Sequence, residues 1–296
     1  MTFNPKIILG TLLIAILFFA CIKEQKPAGI ILSPTITFTD SIYTASQIPS
    51  AQARVVLVEE ATGVHCVNCP AGAAMLRGIK AAYPNRILSA AVYSPFLNYF
   101  VAPSKYDFNT QDALDLVTFL GNVDPSKPSA AINRTTAPNN QNNTGNSYFY
   151  DRNDWNTSIA NFLNTPTPVN LEVSAEFINN AYKLNAKTTF TENVSSDLAI
   201  SLFVIEDGII DIQDSTGVEI EDYEHEHVLR KILTPISGLN ILETTPIKTK
   251  GTVLERTFYF EMPSKVLNKS NAKALCFIHK VGSDKEVLQV AEIDLP

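Results

Sequence analysis

The sequence predicts an α/β domain followed by an all-β domain, and three observations carry the prediction. Between Arg54 and Leu163, short apolar runs of strand length alternate with stretches of helical period. From Thr167 onward only strand-length runs recur, separated by polar turns. Pro166 and Pro168 interrupt the chain between the two regimes, where a helix could not continue.

In the first region, Arg54–Val58 suits a buried strand, Thr62-Gly63 marks a turn, and Pro70 opens a helix that runs through Ala82. A second buried strand is predicted over Ile87–Tyr93. Leu114, Val117 and Leu120 then recur at helical spacing within Gln111–Leu120, and Pro125 and Pro128 stop that pattern. Ala130–Asn133 reads as another short strand, Asn139–Asn146 as a polar insertion, and Trp155, Ile159 and Phe162 predict a helix over Asp154–Leu163. The second region holds strand-length runs at Val169–Phe177, Tyr182–Thr191, Leu198–Ile205, His227–Leu233, Thr252–Phe260, Ala272–His279 and Val287–Ile293. That succession predicts an antiparallel sandwich of immunoglobulin-like size.

The N-terminus reads as a targeting device over residues 1–20. Lys6 precedes an apolar run, Ile7–Phe19, and small Ala20 stands before Cys21. The run falls short of the roughly 20 apolar residues that span a bilayer, and Lys23 and Glu24 follow at once. The segment resembles a lipoprotein signal, which implies a mature chain starting at a lipid-bearing Cys21; a plain signal with an incidental cysteine is the other reading. Residues 21–53, with Pro27, Pro34 and Pro49 among Ser and Thr, read as a tether in which Thr35–Phe38 could pair as a strand. Composition is that of a folded protein, with 45% apolar and 18% charged residues. A net charge of −7 without a basic patch gives no support for a nucleic-acid partner.

The stretch that could carry chemistry is Glu59-Glu60-Ala61-Thr62-Gly63-Val64-His65-Cys66-Val67-Asn68-Cys69-Pro70. Two cysteines two residues apart, at the start of a helix, are placed for reversible disulfide chemistry, because the helix N-terminus and a protonated His65 would favour thiolate. Cys66 would attack and Cys69 would resolve the mixed disulfide. The same placement suits a static bridge, while a zinc site lacks further ligands nearby. Cys276, in an apolar run, reads as a buried inert thiol. In Glu224-His225-Glu226-His227 the two imidazoles would share a face if the segment were a strand, as metal ligands could; an exposed acidic loop edge is the plainer reading. Tyr93, Phe96, Tyr99, Phe100 and Tyr106 could line a groove for an extended peptide or pack a long connection.

The order of buried strand, Cys66-Val67-Asn68-Cys69-Pro70, helix, and a proline ahead of a later strand resembles the thioredoxin fold. That resemblance implies a cis proline facing the disulfide, at Pro128 with Pro125 as the other candidate, and that Glu60, six residues before Cys66, shuttles a proton to Cys69, a strand-end surface position being its other reading; His65 stands where the family has tryptophan. Val58-Glu59-Glu60-Ala61-Thr62-Gly63, the Cys66–Pro70 segment, Tyr106-Asp107-Phe108-Asn109-Thr110, Ile132-Asn133-Arg134 and His227-Val228-Leu229-Arg230 together resemble the Omp-twenty-eight-related outer-membrane lipoproteins of Bacteroidota. This implies a thioredoxin-like domain over residues 54–165, a β-sandwich domain over residues 166–296, and outer-membrane attachment on the periplasmic or surface face. Two functions are consistent with these readings. One is a lipid-anchored thiol-disulfide exchanger acting on envelope proteins or extended peptides through Cys66, Cys69, Pro128 and Glu60, with no cofactor and no metal. The other is a non-enzymatic binding or scaffolding outer-membrane lipoprotein with a structural disulfide.

Overall fold

A computed structural model of the protein describes residues 36–95, 103–137 and 148–296. The signal segment, Cys21 and the tether through residue 35, Phe96, Tyr99, Phe100 and Asn139–Asn146 lie outside the described residues. The first half of the chain holds β1 (Thr37–Thr44), β2 (Val56–Thr62), α1 (Cys69–Ala82), β3 (Ile87–Tyr93), α2 (Gln111–Phe119), β4 (Ser129–Ile132), β5 (Phe149–Asp151) and α3 (Trp155–Leu163). There follow β6 (Val169–Ile178), β7 (Ala181–Phe190), β8 (Leu198–Glu206), β9 (Ile209–Ser215), β10 (Val218–His225), β11 (Val228–Ile232) and β12 (Leu239–Ile241). The chain ends with β13 (Thr252–Phe260), β14 (Ala272–Lys280) and β15 (Val287–Asp294).

These strands build a nine-stranded sheet in the order β15-β14-β8-β11-β3-β2-β4-β5 with β12 also on β8, a four-stranded sheet β1-β13-β7-β6, and the β9–β10 hairpin. The expected α/β thioredoxin-like domain followed by a separate immunoglobulin-like sandwich is corrected by this topology. Strand far outweighs helix among the described residues, and strands of both regions share one sheet. The joint is β11, which runs parallel to β3, with Val228 beside Ala91, and antiparallel to β8. Hydrophobic period reports which face of a strand is buried but carries no record of its pairing partner, so the seam was invisible in the sequence.

Burial explains the composition of the central strands. Every residue of β8 is buried, and its near-continuous apolar run is what a strand covered on both faces requires. Leu202, Ile278 and Cys276 meet Val169, Leu184 and Phe258 of the four-stranded sheet. Phe203 and Phe277 pack instead with Leu116 and Val117 of α2. α1 and α3 bring Leu76, Trp155 and Ile159 against Val56 and Val58 of β2.

A charge pair sits inside the α2 layer. Arg134, just past β4, donates from Nη2 to Glu59 Oε1 at 2.6 Å and from Nε to the same carboxylate at 3.0 and 3.1 Å, with both residues fully buried. Its guanidinium lies 4.7 Å from the Phe277 ring centroid and 5.7 Å from that of Phe203, so it touches aromatic faces contributed by β8 and β14. Asn133, at φ 48, turns the chain here and accepts from the Leu57 N–H at 2.9 Å through Oδ1, while its carbonyl accepts from Val287 at 2.8 Å. The Ile132-Asn133-Arg134 segment thereby ties β4, β2 and β15 together.

Removing one partner of such a pair leaves an uncompensated buried charge. Arg134→Met is expected to cost about 3–5 kcal/mol in urea unfolding, and Glu59→Leu combined with Arg134→Met to recover most of it. A single variant as stable as the double variant contradicts this account of the pair.

Candidate functional site

β2 ends at Thr62 and α1 starts at Cys69, with Pro70 in its first turn, where the missing N–H is not needed. The connecting loop is tight. Cys66 N–H donates to Gly63 O at 3.1 Å and Cys69 N–H to Cys66 O at 3.0 Å. The two cysteines form a disulfide with their Cα atoms 5.3 Å apart. Cys69 is the first helical residue and Asn68 occupies the N-cap, so Cys66 stands before the helix rather than at its cap.

The bridge is covered by the β9–β10 hairpin. Gln213 of β9 points its carboxamide Nε2 at Val64 O (2.8 Å), Gly63 O (3.2 Å) and Cys66 O (3.2 Å). Asp214 N–H donates to Val64 O at 2.9 Å, and the Asp214 carboxylate lies 2.9 Å from His65 Nδ1. As a result Cys66 is 4% exposed and Cys69 2% exposed. His65 is thus engaged by an acid on the covering hairpin.

Glu60 is buried one strand position from Glu59 but on the opposite face, where its Oε1 has no hydrogen-bond partner among the described residues. Burial pushes its carboxyl up to about 8 against the pull of Arg77 and Lys80. The Lys127–Pro128 bond is cis. Pro128 packs on α1 at Gly72, where an added Cβ would lie 2.8 Å from Pro128 Cβ and 3.3 Å from Glu60 Oε1. Glu60, Pro128 and the helix carrying Cys69 are therefore brought together. A cavity of about 50 Å³ beside them is lined by Glu60, Cys69, Lys80, Tyr93, His225 and His227 among others. It has room for a few waters.

The two histidines part company. His225 ends β10 and is buried, its Nδ1 2.7 Å from the Tyr93 hydroxyl and its Nε2 3.1 Å from Ile212 O, and burial pushes it down to about 4. His227 lies beyond the strand at φ 56, which breaks the alternation that would have set both rings on one face. Its ring lies 2.8 Å from Lys80 Nζ on one side and 2.8 Å from Asp207 on the other. The exposed-edge reading thus fails for His225, and no cluster of three or more metal-capable side chains occurs among the described residues. The Tyr93 and Phe108 rings lie tilted with centroids 4.9 Å apart in a buried cluster with Ile209, which is core packing for the described aromatics. Cys276 is buried between the sheets, and burial pushes its thiol up to about 12.

Sequence reasoning missed Gln213, Asp214 and Asp211, because polar side chains in a segment rich in acids read as surface. The signal that could have found the hairpin is Thr216-Gly217 between Ile209–Ser215 and Val218–His225, a turn dipeptide flanked by β-branched residues.

The sequence matches the family of outer membrane protein Omp28 over residues 125–295. The chain belongs to the Omp28 family. The matched stretch takes in Pro128, Arg134, the β9–β10 hairpin and Arg230, while Cys66 and Cys69 precede it. No curated protein matches the sequence significantly. Among solved structures, the Omp28-family chain is similar to HBP35 of Porphyromonas gingivalis, at 15% identity and a TM-score of 0.60 over 83% of this chain and 77% of that one. Protein AGR_C_4864 from Agrobacterium tumefaciens is similar at 12% identity and a TM-score of 0.50 over 82% and 96%. At these identities the likeness is one of fold. No helix among the described residues is long and apolar enough to cross a membrane.

Glu60 makes this Omp28-family site pH-sensitive. Folded, it keeps its proton to about pH 8; unfolded, it releases it near its ordinary 4.5. Stability is therefore expected to fall as pH rises between those values and to level off above them. Glu60→Gln should remove that slope, so that its melting temperature gains on the native protein across the window, by on the order of a few kcal/mol in stability at the alkaline end. Parallel melting profiles of the two proteins from pH 5 to 9 would show Glu60 to be ordinary.

Proposed function

We propose that this protein is a non-enzymatic binding or scaffolding protein of the outer membrane in which the Cys66–Cys69 bridge is structural. The observation that carries the reading is the cover over the bridge. Exchange requires an incoming thiolate to reach a sulfur, and both cysteines lie almost wholly buried behind a hairpin that hydrogen-bonds the loop carrying Cys66. A bridge so placed fixes the turn from β2 into α1 and gives the hairpin a rigid loop to dock on.

Recognition of envelope proteins or extended peptides is supported by the four-stranded sheet. All eight residues of β1 are exposed, and among the described residues it pairs only with β13. Its outer edge presents backbone donors and acceptors of the kind that an added strand from a partner satisfies. The lipoprotein-like segment ending at Cys21 supports attachment through a lipid on that cysteine, with the body held at the membrane surface.

The expected outcome is that the purified protein does not catalyse reduction of insulin disulfides. Cys66→Ser combined with Cys69→Ser should keep the native circular dichroism and lose about 2 kcal/mol, the entropy of closing so small a loop. Insulin reduction that Cys66→Ser abolishes overturns the structural reading of the bridge, and a Cys21→Ala chain that still fractionates with the outer membrane overturns the anchor.

A further inference from the structure

On a chain with a net charge of −7, one cleft of about 300 Å³ is lined by three cations, Lys105, Arg230 and Lys265, against the single acid Asp107. Lys105–Asp107, Arg230 and Ser264–Leu267, distant from one another in sequence, meet there.

The walls of the cleft are held from beneath by buried carboxylates. On one side Asp211 of β9 accepts from the N–H groups of Lys105 at 3.0 Å and Tyr106 at 2.9 Å, and from the Ser104 hydroxyl at 3.1 Å. On the other, Glu206 at the end of β8 accepts from Leu267 N–H at 3.0 Å and Asn268 N–H at 2.5 Å. Arg230 of β11 lies between them and is 2% exposed, with Nε 3.2 Å from Glu206 Oε2 and Nη2 donating to the Lys265 carbonyl. Its Nη1 is buried and has no acceptor among the described residues. Leaving a buried guanidinium N–H unmatched costs about 1–3 kcal/mol or more, so this atom calls for an acceptor. Lys265, with its side chain half exposed, can swing over the cleft, because its 3.9 Å contact with Asp107 is a loose one.

We propose that this cleft is a binding site for an oxyanion, the carboxylate or phosphate group of a larger ligand, taken by Arg230 with Lys105 and Lys265 at the rim. With Nε beside Glu206 and Nη2 on the Lys265 carbonyl, Nη1 is the guanidinium nitrogen left to donate to an oxygen of such a group. A cationic ligand would meet the ammonium groups of Lys105 and Lys265 at the rim. The volume sits at the lower end of the range for small-molecule sites, about 300–1,000 Å³, and so takes the anionic group together with part of the body that bears it. The walls need no rearrangement, since the two acids already hold the backbone on both sides.

The site deepens the binding role proposed above, and its test is separable from the reading of the disulfide. Purified full-length protein is titrated calorimetrically with inorganic phosphate and, separately, with acetate at low ionic strength. Saturable binding of at least one is expected, and the preferred anion identifies the group recognised. Lys105→Ala combined with Lys265→Ala changes only rim side chains and should weaken binding about tenfold while leaving circular dichroism unchanged. Arg230→Lys keeps the charge but has no nitrogen at the Nη1 position and should weaken it at least as much. Cys66→Ser with Cys69→Ser should bind the anion as the native protein does, whichever way the disulfide reading falls. Absence of saturable binding by either anion, or binding undiminished in the rim variant, overturns the proposal.

Discussion

β11 lies between β3 and β8, and the arrangement of the site follows from that placement. Because β11 is antiparallel to β8, a tight turn from Glu206 to Val228 would have joined them. The chain instead makes the β9–β10 hairpin, and that excursion carries Gln213 and Asp214 over the loop at the end of β2. Pairing in the sheet thereby determines what covers the disulfide. The same excursion brings Asp211 under the Lys105–Tyr106 backbone, so one hairpin organises both the bridge and a wall of the cationic cleft.

Buried charge is concentrated along this seam. Glu59 and Glu60 are neighbours in β2 with opposite fates, since alternation sends one to Arg134 in the α2 layer and the other to the face of α1, where no donor reaches its Oε1. Glu206 pairs with Arg230 and fixes Leu267 and Asn268. Burial alone would raise the Asp207 carboxyl, but contacts from His227 and Lys273 outweigh it and hold the group below its ordinary value. Each of these pairs joins an element of one half of the sheet to another strand or loop. Removing one partner of Glu59–Arg134 or Glu206–Arg230 leaves a charge stranded in the interior.

Much of this was legible locally. Pro70 marked the start of α1, the apolar run at Leu198–Ile205 became β8, and Pro128 ahead of Ala130 stood where the chain enters β4. What was not legible was pairing. The runs at Ile87–Tyr93 and His227–Leu233 read as strands of two domains, yet Ala91 N–H donates to His227 O at 2.7 Å within one sheet. The hairpin was missed for a related reason. Asp211 and Gln213 are polar residues turned inward to backbone groups of distant loops, and nothing in their immediate sequence announces those partners. His225 and His227 were set on one face by strand alternation, which the left-handed backbone at His227 breaks.

The hairpin leaves the bridge almost wholly buried in the native state. The most direct measurement is the rate at which dithiothreitol reduces Cys66–Cys69 as a function of urea concentration, with the new thiols trapped by alkylation. If the cover holds, reduction proceeds only through unfolding, and its rate climbs with urea in parallel with the unfolding rate. Rapid reduction in the absence of urea, at a rate that does not change below the unfolding transition, would contradict it.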